Sequence, residues 1–156
     1  MITPVRMWRR LALAAAAAVV SAHAHAVLVI NEPWVRPAQA AQATEAYMEL
    51  QSSDGATLVG ARSAAAGRIT LVGTHGSTLA VPLPAGRSVL LAPGKFRLAL
   101  LKLARTLRAG DRVPVTLVLR NGSGATEEIE IDAEVRLRSP TDDHLHPHSH
   151  THAPSG

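Results

Sequence analysis

Five histidines, His144, His146, His148, His150 and His152, alternate with other residues near the end of this 156-residue chain. Imidazole is the commonest metal-ligating side chain, and this run places five within one short segment. In an extended segment, residues two apart point to the same side with Cα atoms roughly 6.5–7 Å apart. Two or three rings can then converge on one ion after a modest bend, and Asp142 and Asp143 add harder oxygen donors. Neutral imidazole suits Cu(II), Zn(II) and Ni(II), with Cu(II) favoured by the Irving–Williams order. Binding weakens as pH falls through the imidazole pKa of about 6.5, because each ligand must shed its proton. Soft donors are scarce elsewhere. There is no Cys, and Met48 is the one Met beyond the extreme N-terminus.

A second candidate depends on processing. Residues 1–26 read as a secretory signal peptide: Arg6, Arg9 and Arg10 form a positive start, residues 11–20 an apolar run, and Ser21-Ala22-His23-Ala24-His25-Ala26 a small-residue cleavage region. The apolar run is too short to span a bilayer, which takes about 20 residues. Cleavage after Ala24 would leave His25 first, with an amine and a ring nitrogen able to chelate Cu(II). Cleavage after Ala26 would remove that option. The expected product is periplasmic, with no membrane insertion once the signal is gone.

Export also changes the charge argument. Arg6, Arg9 and Arg10 account for three of the 16 Lys+Arg, so 13 remain against 12 Asp+Glu. That balance does not argue for nucleic-acid binding, which wants a dense basic face. Catalytic patterns are absent too: there is no Cys nucleophile, Gly-rich phosphate loop, HExxH or paired-carboxylate motif. The chain reads as a non-enzyme.

The elements that must carry these residues read as β structure. Val113, Val115, Leu117 and Leu119 alternate with other residues, Asn121-Gly122 signals a hairpin, and Ile129, Ile131, Ala133 and Val135 then alternate with Glu128, Glu130, Asp132 and Glu134. Further strands are expected at 27–31, 46–51, 57–64, 69–72, 88–91 and 96–101, and an ordered loop at the Ala-rich 38–43. Turn signals recur at Ser53-Asp54-Gly55, Pro84-Ala85-Gly86, Pro93-Gly94 and Ala109-Gly110-Asp111. The domain reading is a signal at 1–26, an all-β sandwich at 27–138, and a disordered His-rich tail at 139–156, too poor in apolar residues to fold alone.

Pro33-Trp34-Val35-Arg36, Ala46-Tyr47-Met48, Leu58-Val59-Gly60-Ala61, Leu83-Pro84-Ala85-Gly86, Leu91-Ala92-Pro93-Gly94 and residues 107–115 occur in an order that resembles the periplasmic copper chaperone family called PCu(A)C. The resemblance spans roughly residues 27–135. It implies a cupredoxin-like Greek-key β-sandwich, and relatives that deliver copper to the respiratory oxidase. An oxidase assembly factor or a related copper chaperone is the implied partner beside the metal ion. It also implies a Cu(I) site of a His after a strand, a Met about ten residues later and a His-x-Met further on. Val72 stands where the first His would lie, the segment to Leu83 is shortened, and Arg97-Leu98-Ala99 replaces His-x-Met. The expectation is a degenerate member in which the tail captures copper.

Three substitutes are weighed. His75, in the Thr74-His75-Gly76 turn, is a displaced-ligand candidate. Met48 is assigned to core packing, and Arg97 to a solvated strand face rather than to an ion pair. Zinc or nickel sequestration, and a metal-free interaction module, stand as rival functions.

Overall fold

A computed structural model describes residues 27–139 of the chain. The signal segment, His25 and the five tail histidines lie outside the described residues.

Ten strands and no helix make up the described residues: β1 (Leu28–Val35), β2 (Thr44–Ser52), β3 (Ala56–Arg62), β4 (Ala66–Gly73), β5 (Gly76–Ser77), β6 (Val81–Leu83), β7 (Ser88–Leu91), β8 (Arg97–Leu103), β9 (Arg112–Asn121) and β10 (Thr126–Val135). They form one sheet in the order β5-β4-β8-β2-β1-β10-β9-β3-β6, with β7 paired to β2. The sheet curls so that β3 also lies against β4, although they are far apart in that order. Every pairing between named strands is antiparallel except β1 with β10, where Trp34 faces Glu134 and Val35 faces Val135.

Period-two alternation explains most of this. Val113, Val115, Leu117 and Leu119 are buried on β9 while Arg112, Pro114 and Arg120 are exposed, as one wet and one dry face require. On β10 only Ala133 and Val135 are fully buried; Ile129 and Ile131 are half-buried and pack against the core from the side. The inward rows of β2, β4 and β8 add Ala46, Met48, Leu50, Leu71, Leu98 and Leu100 to the same cluster. Met48 is 2% exposed and packs in that core, as its pattern predicted. The Ala-rich 38–43 segment is a loop, tied by a bridge from Ala38 to Leu107.

Two short strands, β5 and β6, fall where no strand was expected: one has two residues and the other centres on Pro82. β1 also runs past its expected end through Pro33. A register shift between Asn31 and Trp34 accommodates that proline, which has no N–H to give a ladder. Glu32 sits in the shift at φ +46°, a backbone region few non-glycine residues adopt.

Candidate functional site

The outward row where β4, β8 and β2 meet holds the positions at which the resemblance implies copper ligands. β4 and β8 pair so that Leu71 faces Leu98, Val72 faces Arg97 and Thr70 faces Ala99; β2 places Glu45 opposite Ala99. Directly opposed residues share a face. Leu71 and Leu98 therefore point into the core together, while Val72, Arg97, Ala99 and Glu45 share the outer row. Positions far apart in sequence thus converge, but with an alkyl, a guanidinium, a methyl and a carboxylate rather than imidazoles and thioethers.

Arg97 is not on a solvated face as expected. Its Nε donates to Glu45 Oε1 at 2.7 Å, and the two side chains are only 26% and 36% exposed. The hydroxyl of Tyr47 donates to the other Glu45 oxygen. The Arg36 guanidinium lies 5.6 Å from the centroid of the Tyr47 ring, and Trp34 packs on the same Tyr47 ring at 4.7 Å between centroids with a 42° tilt. A cation-π contact and a tilted aromatic pair thus continue the network into β1. Burial pushes the Glu45 carboxyl up, but hydrogen bonds from Tyr47 and Arg97, with the charges of Arg97 and Arg36, outweigh it and hold Glu45 below its ordinary value. Burial, then the hydrogen bond to Glu45 and its negative charge, push the Tyr47 phenol up to about 12. Glu45 is therefore ionised and shared between two donors. A guanidinium that never loses its proton sits on the row where the resemblance implies a bound cation.

Of the other residues read from the sequence, His75 lies exposed in the turn between β4 and β5. It belongs to no donor cluster: among the described residues, no three of His, Cys, Asp or Glu are grouped to hold a metal ion.

The sequence reading missed a groove of about 470 Å³ beside the β1 irregularity. Leu90, left exposed, gives it an apolar edge above the buried Trp34, Met48 and Leu91, and Glu32 and Glu49 line it as well. Ser139, the last described residue, lines it too. The Glu32-Pro33 pair within a strand pattern was the signal that could have found it, because a proline inside a ladder forces a local departure.

Residues 28–135 match the model of the LpqE-like lipoprotein family. The chain belongs to the LpqE-like family. Its structural neighbours give the type of this LpqE-like domain. It is similar to the copper-bound PCuAC domain from PmoF2, at 25% identity over 73% of this chain and 99% of that one, with a TM-score of 0.61. The apo PCuAC domain from PmoF1 is similar at 26% identity over 73% of this chain and 100% of that one, with a TM-score of 0.62. A solution structure of CuI-DR1885 from Deinococcus radiodurans shares 26% identity over 74% of this chain and 83% of that one, at a TM-score of 0.50. No curated protein matches the chain. The LpqE-like domain is thus of PCuAC type, and its all-β curled sheet has the cupredoxin-like fold expected from the motifs.

Proposed function

We propose that this LpqE-like protein is exported and handles copper as cargo, as a chaperone or buffer, capturing Cu(II) mainly through His144, His146, His148, His150 and His152. The observation that carries the copper reading is its likeness, over nearly the whole of that domain, to a copper-bound PCuAC domain. Export fits the lipoprotein description of its family and the leader-like residues 1–26. Among the described residues no helix is long and apolar enough to cross a membrane.

Two observations support capture by the tail rather than by the body. The body positions expected to ligate Cu(I) hold Val72, Arg97 and Ala99, and Arg97 is committed to Glu45. His75 belongs to no cluster of three donors among the described residues. The tail supplies five imidazoles, with His25 as an added donor if processing leaves it first. Nitrogen and oxygen donors without a thioether favour Cu(II) over Cu(I). Delivery to an oxidase assembly factor, or to a related chaperone with an intact Cu(I) site, completes the role.

A metal-free interaction module is the second reading, and the Arg97–Glu45 pair favours it, because a body stabilised by its own ion pair needs no metal to fold. Copper titration of the exported protein beside a version ending at Pro140, in both oxidation states, separates the two. The copper reading expects Cu(II) binding to vanish with the tail and Cu(I) binding to stay weak in both. Tight Cu(I) binding by the shortened protein would overturn the claim of a lost body site. Competition with Zn(II) and Ni(II) at fixed pH then tests the metal.

A further inference from the structure

We propose that the end of the sheet where β9 begins and β10 finishes is a docking surface for an anionic lipid bilayer, with Leu137 among the head groups and Arg108, Arg112 and Arg138 on their phosphates. The inference goes beyond the copper reading and uses none of it.

Backbone hydrogen bonds build this end. The Gly110 N–H donates to the Val135 carbonyl at 2.9 Å, and the Val135 N–H to the Asp111 carbonyl at 2.8 Å. Arg112 then faces Glu134 across the β9–β10 ladder. The segment before β9 and the segment after β10 are thus held side by side, and the Ala38–Leu107 bridge ties the loop after β1 to them.

Positive charge gathers there. Of the 16 Lys+Arg and 12 Asp+Glu, Arg6, Arg9, Arg10, Asp142 and Asp143 lie outside residues 27–139, which leaves 13 against 10. Across 105–112 and 134–138, Arg105, Arg108, Arg112, Arg136 and Arg138 stand against Asp111 and Glu134. Five and two of the charges are therefore here, eight of each sign lie elsewhere, and this end carries the whole excess of +3. Both carboxylates are already taken, Asp111 by Arg105 at 3.0 Å and Glu134 by Arg136 at 2.8 Å. Arg108, Arg112 and Arg138 are exposed and have no ion-pair partner among the described residues.

An apolar side chain stands among them. Leu137 lies in a bend between Arg136 and Arg138 and is 78% exposed. The hollow of about 390 Å³ beside it is lined by Pro37, Ala38, Ala109 and Arg108 among others, with no aromatic wall. A protein partner anchors best through large side chains in well-packed pockets, which this hollow does not offer. A protruding leucine flanked by unpaired guanidinium groups instead complements a bilayer surface, which supplies phosphates to the cations and yields around the apolar group.

Vesicle co-sedimentation of the full exported chain tests this, with a chelator present at pH about 7.5, where the tail imidazoles are neutral. Vesicles of equal parts phosphatidylglycerol and phosphatidylcholine are compared with phosphatidylcholine alone. Each cation near an anionic surface contributes about fivefold, so docking expects about a hundredfold preference for the anionic vesicles. Arg108→Gln, Arg112→Gln and Arg138→Gln together should abolish most of that preference, and Leu137→Asp should lower binding about tenfold. Raising salt from about 0.1 to 1 M shortens the screening length from about 10 to 3 Å and should release the protein. A charge-matched variant carries Arg87→Gln, Lys95→Gln and Arg120→Gln, none of them in these segments. Arg120 lies eight residues along β9 from Arg112, about 27 Å in a strand and beyond the screening length, and this variant should bind within about twofold of the wild type. Variants with the wild-type Tm keep folding out of the comparison. Affinity indifferent to lipid charge or salt, or lost equally in the charge-matched variant, would overturn the proposal. Binding to neither vesicle would leave an acidic protein surface as the occupant and overturn it as well. Copper enters none of these readings, so failure here leaves copper capture standing, and failed copper binding leaves the docking result intact.

Discussion

Replacing Arg97 by Gln tests whether the outer row of β4, β8 and β2 is held by its own charges. The substitution keeps a polar side chain of similar length but removes the charged donor to Glu45. A hydrogen bond to a charged group contributes about 1.5–3 kcal/mol when sheltered, whereas fully exposed pairs contribute about 0.2–1 kcal/mol. Arg97 and Glu45 are 26% and 36% exposed, so screening takes a good share of the larger figure and about 1 kcal/mol remains. For a body of this size that is a fall in Tm of about 4 °C. Calorimetry of the wild type, Arg97→Gln, Glu45→Gln and the double variant isolates the pair, with an expected coupling of about 1 kcal/mol. The pH dependence has a definite sign. Glu45 is held below its ordinary value of 4.5, so its contribution is fully present above that value and is lost as pH falls through the lower folded one. The Tm gap between wild type and Arg97→Gln should therefore be constant near neutrality and narrow in acid. A coupling below about 0.3 kcal/mol, or a gap that does not change with pH, refutes the reasoning.

Other perturbations probe the same molecule. Val72→His, Arg97→His and Ala99→Met together place two imidazoles and a thioether on the outer row fixed by the β4–β8 register; Cu(I) affinity by competition with a chromophoric chelator should rise about a hundredfold, the worth of roughly 2.7 kcal/mol. Met48→Ala removes a 2% exposed core side chain and should cost about 2–4 kcal/mol in denaturant unfolding while leaving copper binding by the tail unchanged. His75→Ala, at an exposed turn with no grouped donors, should alter copper affinity by less than about twofold in the same titration. Lowering pH from about 7.5 to 5.5 should weaken Cu(II) binding by the intact chain steeply, because each imidazole ligand gains a proton across its range near 6.5.

Eight of the ten strands were legible because alternation is local. A run such as Val113, Val115, Leu117 and Leu119 carries its own evidence for one dry face, whatever the rest of the chain does. What escaped was set by pairing between distant segments. Glu45 and Arg97 stand 52 residues apart, and nothing in either neighbourhood says that β2 and β8 will be neighbours. Without that register an outward Arg on a strand reads as solvated, which is why its ion pair was misjudged. β1 was cut short for a related reason: Pro33 argues against a ladder locally, and only its partner β2 shows that a register shift absorbs it. The groove is a product of the same shift and was invisible with it.

That division between inner and outer rows also means that outer-row side chains can be exchanged while the fold is kept. The core uses Leu71, Leu98 and Leu100, none more than 5% exposed, and each points away from the row that Val72, Arg97 and Ala99 occupy. Exchanging side chains on the outer row changes no core volume, so it carries no cavity penalty of the kind that follows core truncation. Its cost is electrostatic, and opposite in sign for the two solutions. A row of neutral donors is held by the β4–β8 and β2–β8 ladders alone until a cation binds to it. A row with Arg97 on β8 and Glu45 on β2 brings the cation covalently attached. A body held by its own ion pair has the same stability before and after cargo is delivered, which is what the proposed capture of metal by the tail requires.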